Sequence, residues 1–474
     1  MASQQTRLVA AIAAIAAAAA SCTHYQRYQA APLDRGRAPA RYAAHGLGAP
    51  ALARFLADHS VPLGDSAWTT RQLALASLYY RPDLSEARAD WRAAQAAAIK
   101  AGARPEPQLD ASAEKASRPD EGRSSAWTFS LTAGLTLELG GKRSARLARA
   151  RATEIGARLR LASAAWMIAQ DTRLDALAAA DAEQRALDRD AELSQLDTVA
   201  ALLSARFTAG EVTQSDVARA DADAAAAAVA RSQAYIARAA ARAALARDLA
   251  MPVDSAQVRV APDARSACTM LDSVSIDSLR VLALVTNERV GVGLADYAVS
   301  EADLRLAVAA QYPDVTIGPG ILWDEGIGRW ILSLGTPGIP LATRGPIAEA
   351  TARRAAAASA VDAVEDSVLA QVDAAVATCR AVGHERSAAD SLLASATRAL
   401  DIASGAFHRG EVGQTDVAFA RLALVRAESA VHENAGRDAA AGASLEAAVG
   451  RWLGARQIPW PDVTVPPDTA GAAP

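Results

Sequence analysis

The sequence predicts a mixed α and β membrane protein built by internal duplication, and three observations carry that expectation. A fifteen-residue stretch occurs twice: residues 206–220 read RFTAGEVTQSDVARA and residues 406–420 read AFHRGEVGQTDVAFA, an ungapped offset of 200 residues. Long alanine-rich segments with scattered Arg, Asp and Glu flank both copies, and alanine loses least of all residues on becoming helical. Ahead of the first copy, Trp127, Phe129, Leu131, Ala133, Leu135, Leu137 and Leu139 alternate with Thr128, Ser130, Thr132, Thr136 and Glu138. That is the two-residue period of a strand with one apolar side.

Within the repeated stretch, Phe207, Gly210, Glu211, Val212, Gln214, Asp216 and Val217 return as Phe407, Gly410, Glu411, Val412, Gln414, Asp416 and Val417. Each glycine breaks a helical run, because glycine adopts turn conformations cheaply and suits helix interiors poorly. Thr213 or Ser215 in the first copy, and Thr415 in the second, are capping candidates for the helix that follows. Each copy reads as the tip of a long helical hairpin, and two such tips make a duplicated chain.

The start of the chain lies outside this repeat. Arg7 gives a weak positive region, residues 8–20 form a short apolar run, and Ala19-Ala20-Ser21 precedes Cys22. This is secretory signal architecture, too short for a membrane-spanning helix. The small residues before the cysteine resemble the lipobox of bacterial lipoproteins, which would make Cys22 the lipidated first residue of the mature chain. The other reading is an ordinary signal peptide with an incidental cysteine. The expected organisation is a signal peptide at 1–21, an anchored arm at 22–67 with a short helix near 51–57, a first repeat at 68–251, a linker at 252–276 containing Cys268, a second repeat at 277–452 and an irregular tail at 453–474.

Taken in order, the first repeat opens with a helix near Trp68, with Thr69 and Thr70 as capping candidates. Arg81-Pro82-Asp83-Leu84 restarts the pattern, since proline suits a first turn, and the next helix runs to about Ala103. A short strand at 109–115, a turn at 119–122 and the long strand at 125–139 form a hairpin. It reads either as a soluble hairpin packed on the helices or as part of a membrane barrel, apolar side to lipid and polar side to the lumen; the length of the second strand favours the bilayer. After Gly140-Gly141 a helical pattern continues to about Phe207, roughly 65 residues or about 100 Å. Leu196, Val199, Leu203 and Phe207 in it are spaced three, four and four, as a helix packing side by side with others requires. The return helix reaches about Leu249. The second repeat has helices near 281–288 and 295–311, then a strand from Val315 that Gly318-Pro319-Gly320 breaks and 321–323 continues. Residues 330–341 return, with Pro337 and Pro340 marking the exit from the sheet. Arg344-Gly345-Pro346 opens the second long helix, and its return helix ends near Trp452.

Helices, hairpin, long helix, glycine tip, long helix, all twice, resembles the TolC family of outer membrane efflux proteins over residues 68–452. Arg81-Pro82-Asp83-Leu84, Tyr312-Pro313-Asp314-Val315, Gly345-Pro346-Ile347-Ala348 and both tips carry the resemblance. Cys22 to Tyr25 with Pro32-Leu33-Asp34 is similar to the lipoprotein branch of heavy-metal efflux systems. The resemblance implies a homotrimer in which each chain gives four strands to one shared twelve-stranded transmembrane β-barrel, while the long helices form a hollow periplasmic α-barrel. It implies adaptor docking at Phe207, Gly210, Glu211, Val212, Phe407, Gly410, Glu411 and Val412, with an inner membrane pump of the RND type behind the adaptor. It implies a periplasmic gate near Asp216, Arg219, Asp416 and Phe419; the family's acidic residue at the position of Phe419 is missing here. A carboxylate ring there would attract cations, though an aspartate in a first helical turn is favoured in any case. Metal cations are the cargo expected from the branch resemblance, with drugs or organic solutes as the alternative.

Other classes find little support. A formal net charge of -4 and no basic stripe argue against nucleic acid. Cys22, Cys268 and Cys379 make no CxxC, and His24, His45, His59, His384, His408 and His432 do not cluster, so no metal site or cofactor is expected, apart from lipid on Cys22. Cys379 reads as a packed helix residue. No catalytic constellation or phosphate loop occurs, so the chain is not expected to be an enzyme. A periplasmic adaptor would have one hairpin rather than two, and a purely structural coiled-coil lipoprotein leaves the strand at Trp127 unexplained.

Overall fold

The structure is a computed structural model that describes residues 27–453 except 60, 62–66, 118–125, 257, 262–265, 325–326 and 339–341. The signal segment, Cys22, the turn at 119–122, Pro340 and residues 454–474 lie outside the described residues. The chain divides into two compact units, Met1–Ala44 and His45–Pro474. In the first, a 3-10 turn (Arg35–Arg37) leads into α1 (Ala38–Ala43) and is capped by Asp34, whose Oδ1 accepts the Gly36 amide at 3.0 Å.

The second unit runs α2 (Pro50–Asp58), β1 (Trp68–Thr69), α3 (Thr70–Tyr80), α4 (Asp83–Ala101), β2 (Gln108–Lys115), β3 (Trp127–Leu137), α5 (Lys142–Thr208) and α6 (Gln214–Asp248). It continues with β4 (Val260–Ala261), α7 (Ile276–Thr286), α8 (Glu288–Ala309), β5 (Val315–Asp324), β6 (Ile327–Gly335), α9 (Arg344–His408) and α10 (Gln414–Val449). Two helices, two strands, a long helix and its return therefore occur twice, as the sequence predicts. Residues 45–58, expected within an arm, belong to this unit: Leu52 and Leu56 are fully buried with Leu73, Leu84, Leu161 and Leu249 in the core of the first repeat.

Helix α5 has 67 residues, about 100 Å of rise. Its buried positions Leu161, Ala165, Ile168, Thr172, Ala176 and Ala179 recur every three or four residues. Small side chains on this stripe let neighbouring helices approach closely. The long helices pack in the lateral order α6, α5, α10, α9, and α8 lies against both α5 and α9.

The expected helix start at Trp68 moves to Thr70, because Trp68 and Thr69 pair in parallel with Val260 and Ala261. Thr69 closes a capping box: its Oγ1 accepts the Gln72 amide at 3.2 Å, and Gln72 Oε1 accepts the Thr69 amide at 2.8 Å. The linker expected at 252–276 is not bare chain. It holds β4 and two 3-10 turns, and it is fastened to the second repeat by a disulfide between Cys268 and Cys379. Cys379 is thus bonded, not merely packed; the partner lies 111 residues away, beyond the reach of local sequence patterns. Beside it, Ser266 Oγ donates to the Asp438 carbonyl at 3.0 Å. Gly442 permits that approach, since a Cβ there would stand 2.9 Å from the Ala267 amide nitrogen.

The four main strands form one antiparallel sheet in the order β2-β3-β5-β6, the two repeats meeting at β3 and β5. Register aligns the alternating residues across strands: Leu131 faces Ile321 and then Trp330, and Leu135 faces Ile317 and then Leu334. Trp330, Leu332 and Leu334 on this face are 86%, 74% and 75% exposed. The opposite side is largely polar, with Ser112 Oγ 2.8 Å from Ser130 Oγ and Thr128 donating to Asp324 at 3.0 Å, although Leu322, Ile327 and Ile331 also fall on it. Strand β5 runs unbroken through Gly318-Pro319-Gly320, contrary to expectation. The glycines are needed for closeness: a Cβ on Gly320 would meet the Leu131 carbonyl at 2.6 Å. The proline's cost is local, since the β3–β5 register skips from Thr132↔Gly320 to Leu135↔Ile317. Strand β6 ends at Gly335, ahead of Pro337, rather than running to Leu341. Outer strands β2 and β6 have no further partner among the described residues.

The disulfide closes a long loop, which narrows the unfolded ensemble. Replacing Cys268 and Cys379 together by Ser is expected to cost about 2–4 kcal/mol. Guanidinium unfolding in detergent, followed by helical circular dichroism, measures this as a lower midpoint, which reductant reproduces in the unmodified chain.

Candidate functional site

The paired tips are built the same way from the backbone upward. Gly210 and Gly410 have φ of 79° and 76°, the left-handed region where side chains are strained. Each glycine turns the end of a long helix into two tight hydrogen bonds. The Gly210 amide donates to the Phe207 carbonyl and the Glu211 amide to the Arg206 carbonyl, both at 2.9 Å. Gly410 to Phe407 and Glu411 to Ala406 repeat this, also at 2.9 Å. This is the Schellman arrangement, which satisfies the last carbonyls of a helix.

The return helices start from carboxylate caps. Asp216 Oδ2 accepts from the Thr213 amide at 3.0 Å and from Thr213 Oγ1 at 2.7 Å. Those bonds hold the Asp216 carboxyl below the usual carboxylate range, the hydroxyl contributing most. Thr213 is the cap, as one of the two residues expected. In the second tip, Gly413 takes the capping position and its amide donates to Asp416 Oδ2 at 2.9 Å. Thr415, expected to cap, is instead buried inside the helix, two positions past the cap at Gly413. Both aspartates therefore serve their own helix termini, where negative charge is favoured.

Charge at the two tips is arranged differently. Arg206 Nε donates to Glu211 at 3.0 Å in the first, while Arg409 grips Glu411 through two bonds at 2.7 and 3.0 Å in the second. The Arg409 guanidinium holds the Glu411 carboxyl below its ordinary range. These arginine clamps were not among the residues singled out by sequence; each lies within five residues of its glutamate, and that spacing across a glycine turn is the signal for them.

Phe207, Phe407 and Phe419 are exposed, and so are Arg219, Glu211 and Glu411. Val212 packs partly inward, on a cluster of Val199, Leu203 and Ala220 that also holds Ala418 of the second hairpin. Val412 has no place in that cluster. The cluster brings the two hairpins together near their tips. Beside it is a groove of about 170 Å³ whose lining includes Leu202, Phe407, His408 and Arg421. Apolar rings beside small residues and charged rims suit contact with another helical tip. Among the described residues, no group of three or more His, Cys, Asp or Glu side chains could hold a metal ion. No described helix is long and apolar enough to cross a membrane.

Gly210→Ala and Gly410→Ala meet no steric obstacle, because nothing lies within 4 Å of the added carbon. The left-handed backbone alone should destabilise each tip by about 1 kcal/mol. Hydrogen exchange of the Glu211 and Glu411 amides is expected to quicken about five- to tenfold, with exchange in the sheet unchanged.

Residues 73–250 match the family model described as outer membrane efflux protein. No curated protein matches the chain. Among solved structures, it is similar to the outer membrane protein VceC of Vibrio cholerae, with a TM-score of 0.65 and 20% identity over 81% of this chain and 96% of that one. The CmeC outer membrane channel of Campylobacter jejuni gives 0.63 and 13% identity over 90% and 94%. The open state of the MtrE outer membrane channel of Neisseria gonorrhoeae gives 0.62 and 17% identity over 81% and 89%. At such identities the likeness is one of fold: long helices with strands contributed from both repeats.

Proposed function

We propose that this chain belongs to the outer membrane efflux protein family, whose model matches its first repeat over residues 73–250, and is the outer membrane channel of a tripartite efflux system. The observation that carries the reading is the sheet, with one exposed aromatic and aliphatic face, one largely polar face and two outer strands that have no further partner among the described residues. In lipid every backbone polar group must be paired, so such a sheet is complete only as part of a closed barrel. A homotrimer with twelve strands supplies that closure. The long helices then extend into the periplasm. Their tips, at Phe207, Gly210, Glu211 and Val212 and at Phe407, Gly410, Glu411 and Val412, meet a periplasmic adaptor that connects to an inner membrane pump. The channel performs no chemistry; solute passes through it down a path energised by the pump.

Cargo selection in such a duct is weak, because a wide solvated passage makes few close contacts. We read organic solutes, drugs included, as the cargo ahead of the metal cations that the lipoprotein-branch resemblance implies. Asp216 and Asp416 support this ordering: both carboxylates cap helices, which leaves them to tune a field rather than to ligate an ion. Arg219 and Phe419, one turn further along and exposed, would line the same constriction with a positive and an apolar group.

Lipid on Cys22 fits the cysteine inventory. Of three cysteines, Cys268 and Cys379 bond to each other, leaving Cys22 as the odd one. An odd cysteine in an exported chain points to pairing between molecules or to a reactive thiol, and a reactive thiol is open to acylation. Intact mass of the membrane-extracted protein is expected to show a chain beginning at an acylated Cys22; an unmodified chain beginning elsewhere would sink the anchor.

Deleting the gene with pump and adaptor intact is expected to sensitise cells to organic compounds more than to metal salts. Sensitivity to metals alone would reverse the cargo order. In reconstituted channels, Asp216→Asn with Asp416→Asn should lower cation preference, and full retention of that preference would remove the electrostatic role of the tips.

A further inference from the structure

The strand ends that meet the helices lie together at one end of the sheet: Gln108 pairs with Gly134, Leu137 with Val315 and Thr316 with Gly335. In the channel reading this end stands at the inner leaflet of the outer membrane. Its side chains have the character of a membrane boundary. Tyr312, 55% exposed, closes on Gly140, where a Cβ would stand 2.5 Å from the tyrosine ring. Tyrosine, apolar in its body and polar at its tip, is favoured at such a level. Ile99 and Leu109, which flank the link from α4 to β2, are exposed as well.

Three cations gather at this end without a carboxylate. Arg143, in the first turn of α5, donates from Nε to the Gly102 carbonyl at 2.7 Å, which brings it to the end of α4. Lys100 and Arg104 lie two residues to either side of Gly102, so their Cα atoms stand within about 8 Å of it. All three are exposed, and none makes an ion pair among the described residues. Neighbouring cations differ in this respect: Lys142 meets Asp314 at 2.7 Å, Arg149 meets Asp303 at 2.6 Å, and Arg146 is paired with Glu138. Of the acids on the link itself, Glu106 is exposed beside Arg104, and Asp110 stands opposite Thr132 on the polar side of the sheet. The three cations with Glu106 leave a surplus of positive charge.

The second repeat shows that the fold does not require these charges. Helix α4 ends at Ala101 and α8 at Ala309, while α5 begins at Lys142 and α9 at Arg344. Aligned on those ends, Lys100, Arg104 and Arg143 correspond to Val308, Tyr312 and Gly345, none of them charged. Repeat two makes the same junction with an aliphatic residue, an aromatic one and a glycine.

We propose that Lys100, Arg104 and Arg143 bind the phosphate of an anionic phospholipid of the inner leaflet, one site per copy, with Ile99 and Leu109 against its acyl chains. A guanidinium presents paired N–H donors that match phosphate oxygens, and the lysine adds a charge on a flexible stem. Surplus positive charge selects phosphatidylglycerol, which is anionic, over phosphatidylcholine, whose phosphate is already balanced by its choline. The exposed apolar side chains beside the cations favour a lipid over free phosphate. The site rests on the channel reading and adds a lipid class to it.

Native mass spectrometry of the full chain in detergent, titrated separately with phosphatidylglycerol and phosphatidylcholine of equal chain length, tests this. The unmodified chain is expected to hold phosphatidylglycerol more tightly. Lys100→Gln, Arg104→Gln and Arg143→Gln should each weaken that binding about fivefold, the effect of one cation near an anionic surface, and leave phosphatidylcholine unchanged. Arg386→Gln with Arg398→Gln, exposed cations further along α9, should change neither. Arg104→Lys with Arg143→Lys keeps the charge and should retain most of the preference, which separates lost charge from a damaged fold. Equal affinity for the two lipids in the unmodified chain, or an equal loss in the α9 variant, overturns the site. Displacement of the lipid by millimolar inorganic phosphate overturns it in favour of a free anion. A triple Gln variant that keeps the lipid but loses its oligomer overturns it in favour of a carboxylate on a neighbouring copy. Recovery of the chain outside the outer membrane fraction would overturn the channel reading itself, whereas a chain recovered there with no preference for phosphatidylglycerol overturns only this site.

Discussion

Helix α5 is the wall shared by both repeats, and the remaining helices take their positions from it. It packs against α3, α4 and α6 of its own repeat and against α8 and α10 of the other. The Arg173–Glu446 ion pair sits at the centre of this arrangement and is almost wholly buried. Glu446 also accepts the Leu453 amide at 2.6 Å, so one carboxylate ties α5 to the end of the second repeat. Nearby, Trp166 and Trp452 lie 6.2 Å apart, and the Arg71 guanidinium stands 4.5 Å from the Trp452 ring. Burial pushes that guanidinium down to about 10. A buried charge is tolerable only when paired, so this cluster holds the repeats in one relative position.

The two repeats differ across this shared wall. Each long helix has a partner on one side within its hairpin and another across a seam. Where they meet inside the chain, ionic pairs line the seam of α5 and α10: Glu192–Arg426, Asp188–His432 and Arg189–Glu433. The tips show a milder version of this divergence. Backbone geometry at Gly210 and Gly410 is nearly the same, but the glutamates that follow are held by arginines from different positions, Arg206 and Arg409. A turn's backbone is dictated by glycine and hydrogen bonding; its surface charge is free to differ.

The sheet imposes the other constraint. Its two hairpins come from separate repeats and join at β3 and β5, where Gly320 allows close approach. Alternation then places tryptophan, leucine and isoleucine on one side over the whole width. Such a surface is unstable in water at this exposure, because uncovered apolar area is costly. A bilayer relieves that cost for the face, and neighbouring strands relieve it for the edges. The edges of the sheet are thus where the proposed oligomer would complete the fold.

Much of this was legible in the residues. The duplication, the long helices, the alternating strand at Trp127 and the glycine turns follow from local composition and period, because helix, strand and turn preferences act over a few residues. The residues at the tips were found by their repetition, though sequence alone left the cap of the first tip between Thr213 and Ser215 and misplaced that of the second. Tertiary structure decided what depends on distant partners. Cys268 and Cys379 meet because the inter-repeat segment folds back onto α9, and β5 passes through Gly318-Pro319-Gly320 because flanking strands need glycine there and hold the chain extended. The lateral order of the helices, and with it the ionic seam of α5 on α10, belongs to the same class: periodicity shows that a helix has a face to bury, but only packing determines which helix buries it.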